Sequence, residues 1–270
     1  MAPRLLLVGC GKMGEALLGG WIRAGFAAND IIVVEPDSQK ATPLGERFGV
    51  EVVGEAGAAG GAVRQTAVVF AVKPQALDAI APAYRRFAES GVFLSIAAGR
   101  TISTLQRLLG DGAAIVRAMP NTPAAVGQGV TVACAGAGTS AEQRWLCERL
   151  LTAVGSLSWI EDEALLDAVT AVSGSGPAYV FLLTECLADA GARAGLPTHL
   201  AHRLARDTVA GAGALLQRAP EPVAELRRNV TSPGGTTAAA LAVLMADDGL
   251  ARLLTKAVRA AAERSRELAG

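Results

Sequence analysis

The feature that most constrains the fold is a glycine-rich turn near the start of the chain, between an apolar run and a segment of helical periodicity. Gly9, Gly11 and Gly14 follow the apolar run at residues 5–8, and the apolar residues beyond them recur at helical spacing. Glycines at these positions permit a tight turn, close approach to a pyrophosphate and close packing of the helix. The motif alone is a weak signal, but its place between a predicted strand and a predicted helix indicates a dinucleotide-binding βαβ unit.

Strand-like and helical segments continue to alternate through the first half of the chain. A second strand at residues 31–35 ends in Glu35, about 20 positions beyond the glycine turn, where a carboxylate that binds the adenosine ribose is expected. Further strand-like runs lie at residues 66–72, 92–97, 114–119, 130–134 and 157–160. The alternation predicts an α/β fold with an N-terminal Rossmann-type doubly wound parallel sheet over residues 1–160.

The segments that directly follow predicted strands are the expected ligand-binding positions in such a sheet. They are Val72-Lys-Pro74, Ile96-Ala-Ala98 and Met119-Pro-Asn-Thr-Pro123. Each has an ordinary interpretation as well, since Lys73 suits a solvated loop and Pro120 and Pro123 suit helix termination. Their coincidence at one sheet edge favours a cofactor site that includes Asn121.

The second half of the chain has a different pattern. From Asp162 onward the strand signals end, and the sequence becomes rich in Ala and Leu at helical spacing, which predicts an all-helical domain over residues 161–270. Its segment at residues 177–190 is almost entirely apolar, and Gly211 and Gly213 allow close packing of the next helical stretch. One small domain cannot cover so much apolar surface, so the sequence predicts an interlocked homodimer and an unstable monomer.

A turn without charged side chains, Asn229-Val-Thr-Ser-Pro-Gly-Gly-Thr-Thr237, lies between two apolar-periodic segments. Gly234 and Gly235 allow the backbone to turn sharply and aim successive N–H groups at one point, and Thr236 and Thr237 then open the next helix. The turn therefore suits a small carboxylate. An ordinary connection between helices is the alternative, because Pro and Gly mark loops in general.

The composition of the chain limits its expected partners. Lys plus Arg and Asp plus Glu each total 25, so the formal net charge of +0 gives no electrostatic reason to expect nucleic acid or an anionic membrane surface. The four cysteines are dispersed without metal or redox spacing, so buried thiols, no metal site and a cytoplasmic location are expected. Polar residues interrupt the apolar segments, so no membrane span is expected.

Taken together, the motifs resemble those of the pyrroline-5-carboxylate reductase family over nearly the full length of the chain. The motifs that carry the resemblance are Gly9-x-Gly-x-x-Gly14, Ala71-Val-Lys-Pro74, Arg117-Ala-Met-Pro-Asn-Thr-Pro123, Ser173-Gly-Ser-Gly-Pro-Ala-Tyr179 and Ser232-Pro-Gly-Gly-Thr-Thr237. The resemblance implies reduction of 1-pyrroline-5-carboxylate to L-proline, the last step of proline biosynthesis, with NADPH or NADH. It also implies a Rossmann domain, a helical dimerisation domain and dimers that often assemble into rings.

Together with the expectations above, the resemblance gives a set of candidate site residues. The cofactor side comprises Val8, Gly9, Cys10, Gly11, Lys12, Met13, Gly14, Glu35, Ala71, Val72, Lys73, Pro74, Ile96, Ala97, Ala98 and Asn121, and the substrate side comprises Glu163, Asn229, Ser232, Gly234, Gly235, Thr236 and Thr237. Glu163 suits an acid at a helix entry equally well. Because a cyclic imine is readily protonated, no strong acid is required, and Thr237 is the expected catalytic residue, with its hydroxyl near the ring nitrogen.

Two other functions are compatible with a dinucleotide-binding fold. A β-hydroxyacid dehydrogenase shares the two-domain plan but needs a lysine in its helical half, and no lysine lies between Lys73 and Lys256. A dinucleotide-binding regulator without catalysis is the second alternative. As to the cofactor, Glu35 and Asp37 disfavour a 2′-phosphate and Lys40 offsets part of that repulsion, so activity with both NADH and NADPH is expected, with a preference for NADH.

Overall fold

The computed structural model describes residues 4–59 and 66–269. Within them lies a sheet of eight strands in the order β3-β2-β1-β4-β5-β6-β7-β8. The strands are β1 (Arg4–Val8), β2 (Ile31–Val34), β3 (Glu51–Val53), β4 (Thr66–Phe70), β5 (Gly91–Ser95), β6 (Ala114–Met119), β7 (Gly129–Ala135) and β8 (Gly155–Ile160). The predicted α/β class is thereby confirmed.

The central strands of the sheet are buried on both faces. Leu5 and Leu7 of β1 belong to the core on one face, and Leu6 and Val8 belong to the core on the other. Strands β2, β1, β4, β5 and β6 pair in parallel, and the helices that connect parallel strands cover both faces. The carboxyl ends of these strands therefore lie at one edge of the sheet.

The sheet departs from the predicted parallel arrangement at β7, which runs antiparallel to β6. The connection at residues 120–128 is shorter than the dozen or so residues that a parallel crossover needs, so the chain turns back beside the strand that it has just left. The final strand, β8, pairs in parallel with β7. The short edge strand β3 was not predicted, because its three residues are partly or fully exposed and form no apolar run.

The helices occupy the connections between strands and the whole second half of the chain. They are α1 (Lys12–Arg23), α2 (Ser38–Phe48), α3 (Pro74–Ile80), α4 (Ile102–Leu109), α5 (Ala141–Thr152), α6 (Leu166–Val169), α7 (Gly176–Arg193), α8 (Thr198–Arg218), α9 (Val223–Asn229), α10 (Thr236–Leu244) and α11 (Leu250–Ala269). A π-helical turn, Thr170–Gly174, lies between α6 and α7.

Contacts divide the chain into two compact units. One unit ends at Ser175 and includes the residues from Ala261 onward, and the other is Gly176–Ala260. The predicted boundary after residue 160 coincides with the end of β8, where strands give way to helices. The strands end at Ile160, whereas the first compact unit continues to Ser175, so these two boundaries do not coincide.

The unit Gly176–Ala260 buries few of its own side chains. Its buried apolar residues are Ala188, Ala201 and Ala205, whereas Phe181 and Leu182 on α7 are 61% and 58% exposed. The helical run Glu163–Arg193 is long and apolar enough to cross a membrane, by length and composition. A core helix of a soluble protein meets the same test, so this finding does not by itself indicate a membrane protein.

Candidate active site

A cavity of ≈ 550 Å³ lies beside the glycine-rich turn, at the carboxyl edge of the sheet. The predicted cofactor residues that line it are Val8, Gly9, Cys10, Gly11, Glu35, Ala71, Val72 and Lys73. Ile80, Ala83 and Tyr84 also line it, and sequence reasoning missed them because apolar residues of a helical segment carry no signal of a site. The volume lies in the range of about 300–1,000 Å³ that is usual for cofactor sites.

Packing and backbone conformation explain why the turn needs its glycines. Gly9 has φ +81°, and a Cβ there would lie 2.5 Å from Cγ1 of Val72, while a Cβ at Gly14 would lie 2.7 Å from the carbonyl oxygen of Gly9. Gly11, by contrast, faces open space and is the N-cap residue of α1, without a side chain to bond the first-turn N–H groups. A helix N-terminus left open in this way attracts an anion, so the residues present fit a dinucleotide pyrophosphate.

The Glu35 carboxylate connects the glycine turn to the loop after β2. The residue is 8% exposed, its Oε2 accepts a hydrogen bond from the Cys10 N–H at 3.2 Å, and its Oε1 accepts one from the Asp37 N–H at 3.2 Å. A carboxylate offers about four lone-pair positions, so these bonds leave capacity for ribose hydroxyl groups at the cavity. The contact with the ribose stays a prediction. The two hydrogen bonds from backbone N–H groups were not predicted from the sequence.

Lys40 brings a positive charge to the same cavity and is paired with Asp37. The Lys40 Nζ lies 3.0 Å from the Asp37 Oδ2. The hydrogen bond from Lys40 lowers the pKa of Asp37, and the same contact raises the pKa of Lys40. Both side chains are therefore charged at neutral pH, and the cation expected to offset repulsion of a 2′-phosphate is held beside Glu35.

The other predicted cofactor residues lie outside this cavity. Lys12 and Met13 line a separate cavity of ≈ 430 Å³. Gly14 is buried within α1, and Pro74 is the first residue of α3. Residues 96–98 follow the end of β5, which pairs in parallel with β4 and β6, so they lie at the same edge of the sheet. Their contacts with a cofactor stay predictions.

The amide of Asn121 is bonded at both ends within the protein. Its Oδ1 accepts a hydrogen bond from the Val130 N–H at 2.8 Å, and its Nδ2 donates to the Ser173 carbonyl oxygen at 3.0 Å. The residue is 6% exposed. These bonds were not predictable from the sequence, because the partners lie 9 and 52 positions away.

Glu163, predicted on the substrate side, holds a buried arginine. Its Oε1 accepts hydrogen bonds from the Arg117 Nη1 and from the Ile102 N–H, each at 2.8 Å. The Arg117 side chain is 7% exposed and the Glu163 side chain 26%. The carboxylate thus neutralises a guanidinium on β6 and caps α4 at its first residue, a role that its surroundings in the sequence did not indicate.

The turn at residues 229–237, which is predicted to bind a carboxylate, joins α9 to α10. Gly234 has φ +70°, and Gly235 is the N-cap residue of α10, where a Cβ would collide with the Ser232 hydroxyl oxygen. Asn229, Ser232, Gly234 and Thr236 are exposed, and Gly235 and Thr237 are partly exposed. Because Gly235 has no side chain to bond them, the first-turn N–H groups of α10 can bind a carboxylate.

The cysteines carry no chemistry in this site. Cys10, Cys134 and Cys147 are buried, as predicted, whereas Cys186 lies exposed on the apolar surface of α7. Burial raises the pKa of both Cys10 and Cys147 to about 12, so these thiols stay protonated and unreactive. Among the residues that the structure describes, no group of three or more His, Cys, Asp or Glu side chains is arranged to hold a metal ion.

Comparison with known proteins decides the family. A family profile described as pyrroline-5-carboxylate reductase dimerisation matches residues 163–268, and one described as NADP oxidoreductase, coenzyme F420-dependent, matches residues 4–99. The pyrroline-5-carboxylate reductase of Pseudomonas aeruginosa is 42% identical to the chain, with 99% of this chain and 97% of that relative covered. The chain belongs to the pyrroline-5-carboxylate reductase family.

Solved structures agree with this assignment. The reductase superposes on the pyrroline-5-carboxylate reductase of Coxiella burnetii with a TM-score of 0.93 at 33% identity, over 100% of both chains. The Plasmodium falciparum pyrroline carboxylate reductase with NADP bound has a TM-score of 0.84 at 29% identity, over 99% of this chain and 98% of that one. The family, the reductase function and the enzyme class predicted from the motifs are confirmed, and the dimerisation profile supports self-association.

Proposed function

We propose that the chain reduces 1-pyrroline-5-carboxylate to L-proline with NADH or NADPH, with the cofactor in the cavity at the glycine turn and the substrate carboxylate at residues 229–237. One observation carries the proposal: the same chain holds a dinucleotide-sized cavity beside a glycine turn and, on α10, an open helix N-terminus suited to a small carboxylate. A regulator without catalysis would need the first of these but not the second.

In the proposed mechanism the protein acts mainly by positioning the reactants. The first-turn N–H groups of α10 bind the substrate carboxylate, and the Thr237 hydroxyl bonds near the ring nitrogen. The nicotinamide cofactor, when bound, supplies the hydride. The cyclic imine readily carries its own proton, so the chain needs no strong acid, and its histidines, His199 and His202, are both exposed.

Replacing Thr237 with Ala is expected to lower kcat by roughly 10- to 100-fold, the scale of one lost positioning hydrogen bond. Thr237→Ser keeps the hydroxyl and is the matched control, expected to retain most of the activity. The measurement is steady-state oxidation of NADPH and NADH at saturating substrate. Unchanged kinetics in Thr237→Ala would remove this hydroxyl from the mechanism.

The function itself is tested by following NAD(P)H absorbance with 1-pyrroline-5-carboxylate as substrate and L-proline as the expected product. Cofactor binding without oxidation would favour the regulator. Activity restricted to a β-hydroxyacid would favour the dehydrogenase. Oxidation of NAD(P)H with 1-pyrroline-5-carboxylate, but not with a β-hydroxyacid, supports the proposed reaction.

The preference between cofactors depends on Glu35. We expect Glu35→Ser to raise the ratio of kcat/KM for NADPH to that for NADH by roughly tenfold, the scale of one close, partly screened charge contact. Glu46→Ser is the matched control, because Glu46 is an exposed acid on α2 that does not line the cavity, and it should leave the ratio unchanged. A wild type that strongly prefers NADPH, with a ratio unmoved in Glu35→Ser, would contradict the ribose contact.

The proposed working form is a homodimer or a ring of dimers in the cytoplasm, without nucleic acid or membrane partners. The apolar surface of α7 supports self-association, because contiguous exposed apolar residues such as Phe181, Leu182 and Leu183 commonly mark a protein–protein interface. The balanced charge of the chain supports a small-molecule substrate rather than a polyanion.

A further inference from the structure

Asn121 joins three segments of the chain at the carboxyl edge of the sheet. It follows the end of β6 and is bonded through its Oδ1 to the Val130 N–H of β7 and through its Nδ2 to the Ser173 carbonyl oxygen. The antiparallel pairing places the start of β7 beside the end of β6. One buried amide, with one donor bond and one acceptor bond, therefore fixes a strand end, a strand start and the turn that carries Ser173.

The turn that receives the Asn121 bond is unusual. Thr170–Gly174 is π-helical, and the Ser175 N–H closes it by donating to the Thr170 carbonyl oxygen at 2.8 Å. π-Helical turns are rare and are found frequently at functional sites. Met119, also at the end of β6, packs closely on the same turn, since a Cβ at Gly174 would lie 2.7 Å from the Met119 Cε. Two side chains from one strand end thus hold this turn.

The amide is suited to this task and poorly placed for a cofactor contact. Its carbonyl oxygen and its NH₂ group each have a protein partner, and the residue is 6% exposed. An Asp of the same shape would keep the acceptor for Val130 but would set a carboxylate against the Ser173 carbonyl oxygen. The position therefore requires a side chain that donates and accepts at once.

We infer that Asn121 is a positioning residue for hydride transfer, which acts by holding the π-helical turn at the strand ends and not by binding the cofactor. The inference rests on the proposed function. The family resemblance implies that residues 96–98, which follow the strand beside β6, lie on the nicotinamide side of the cofactor. A shift of about 1 Å in a segment that positions the reactants can slow the reaction by roughly 100-fold without removing a contact to either reactant.

The test compares wild type, Asn121→Asp and the milder Asn121→Ser in the full-length protein. The cofactor Kd is measured by NADPH fluorescence, and hydride transfer is measured by single-turnover oxidation with 1-pyrroline-5-carboxylate. We expect Asn121→Asp to slow hydride transfer by roughly 10- to 100-fold with the cofactor Kd unchanged within about twofold, and Asn121→Ser to give an intermediate loss. Deuterated NADPH should show a larger isotope effect on kcat in Asn121→Asp, because hydride transfer then limits turnover.

Other outcomes separate the alternatives. A cofactor Kd that rises as much as hydride transfer slows would show that Asn121 binds the cofactor, and it would overturn the inference while leaving the reaction intact. A lower melting temperature with unchanged hydride transfer in both variants would reduce Asn121 to a structural role and would also overturn it. Absence of turnover in the wild type would overturn the proposed function, and the inference with it.

Discussion

Replacing Leu182 with Asp is expected to abolish the folded, active protein. Leu182 is 58% exposed on α7, between Phe181 and Leu183, which are 61% and 49% exposed, in a unit whose buried apolar residues are three alanines. Such a unit gains little free energy from its own core, so we expect most of its stability to come from burying this surface against a second copy. Each leucine buried there contributes about 1.5–3 kcal/mol, and a carboxylate in its place is costly to desolvate.

The expected readout is loss of the dimer together with loss of activity. Light scattering at micromolar concentration should find no folded dimer of Leu182→Asp, and circular dichroism should show reduced helix content. Trp145→Asp is the matched control, because Trp145 is 56% exposed but lies outside residues 163–268, which match the dimerisation profile. We expect that control to remain dimeric. A folded, active monomer of either the wild type or Leu182→Asp would refute the prediction.

The sheet was largely predictable because its signals are local. Apolar runs such as those of β1, β2 and β4, punctuated by glycine and proline, need no knowledge of distant residues. The direction of β7 was missed because alternating strands and helices favour a parallel sheet, and the short connection at residues 120–128 turns the chain back instead. The edge strand β3 was missed because an exposed strand of three residues has no apolar pattern.

The candidate site also has parts that local sequence patterns predict and parts that they do not. The glycine turn and Glu35 follow from spacing within one βαβ unit, and the structure places both at the same cavity. The hydrogen bonds of Asn121 and Glu163 join residues up to 61 positions apart, so no local pattern contains them. Buried polar side chains are identified by their partners, and partners become visible only once the chain is folded.

Glu163 is a residue for which the resemblance and the hydrogen bonds in the structure indicate different roles. The resemblance implies a substrate contact, whereas the structure shows a carboxylate oxygen that accepts bonds from both Arg117 and the first residue of α4. The two roles predict different consequences of removing the carboxylate. A substrate ligand would mainly change KM, and a partner of a buried charge would mainly change the free energy of unfolding.

Replacing Glu163 with Ala is therefore expected to lower stability more than substrate affinity. Leaving a buried charge without its partner costs about 3–5 kcal/mol. We expect a smaller loss of about 2–3 kcal/mol here, because Glu163 is 26% exposed and its removal lets water reach the Arg117 guanidinium. For a chain of this size that corresponds to a fall in melting temperature of roughly 5–10 °C. Thermal unfolding followed by circular dichroism measures it, in the presence and absence of cofactor.

A matched control and a double replacement isolate the cause of that loss. Glu161→Ala removes an exposed acid two positions away and should leave the melting temperature unchanged. Replacing both partners, Arg117→Met with Glu163→Leu, removes the charge that needs a partner, so we expect it to recover part of the stability lost in Glu163→Ala. If Glu163→Ala instead melts like the wild type while KM for 1-pyrroline-5-carboxylate rises about tenfold, which is about 1.4 kcal/mol of binding, the carboxylate serves the substrate and its bond to Arg117 contributes little.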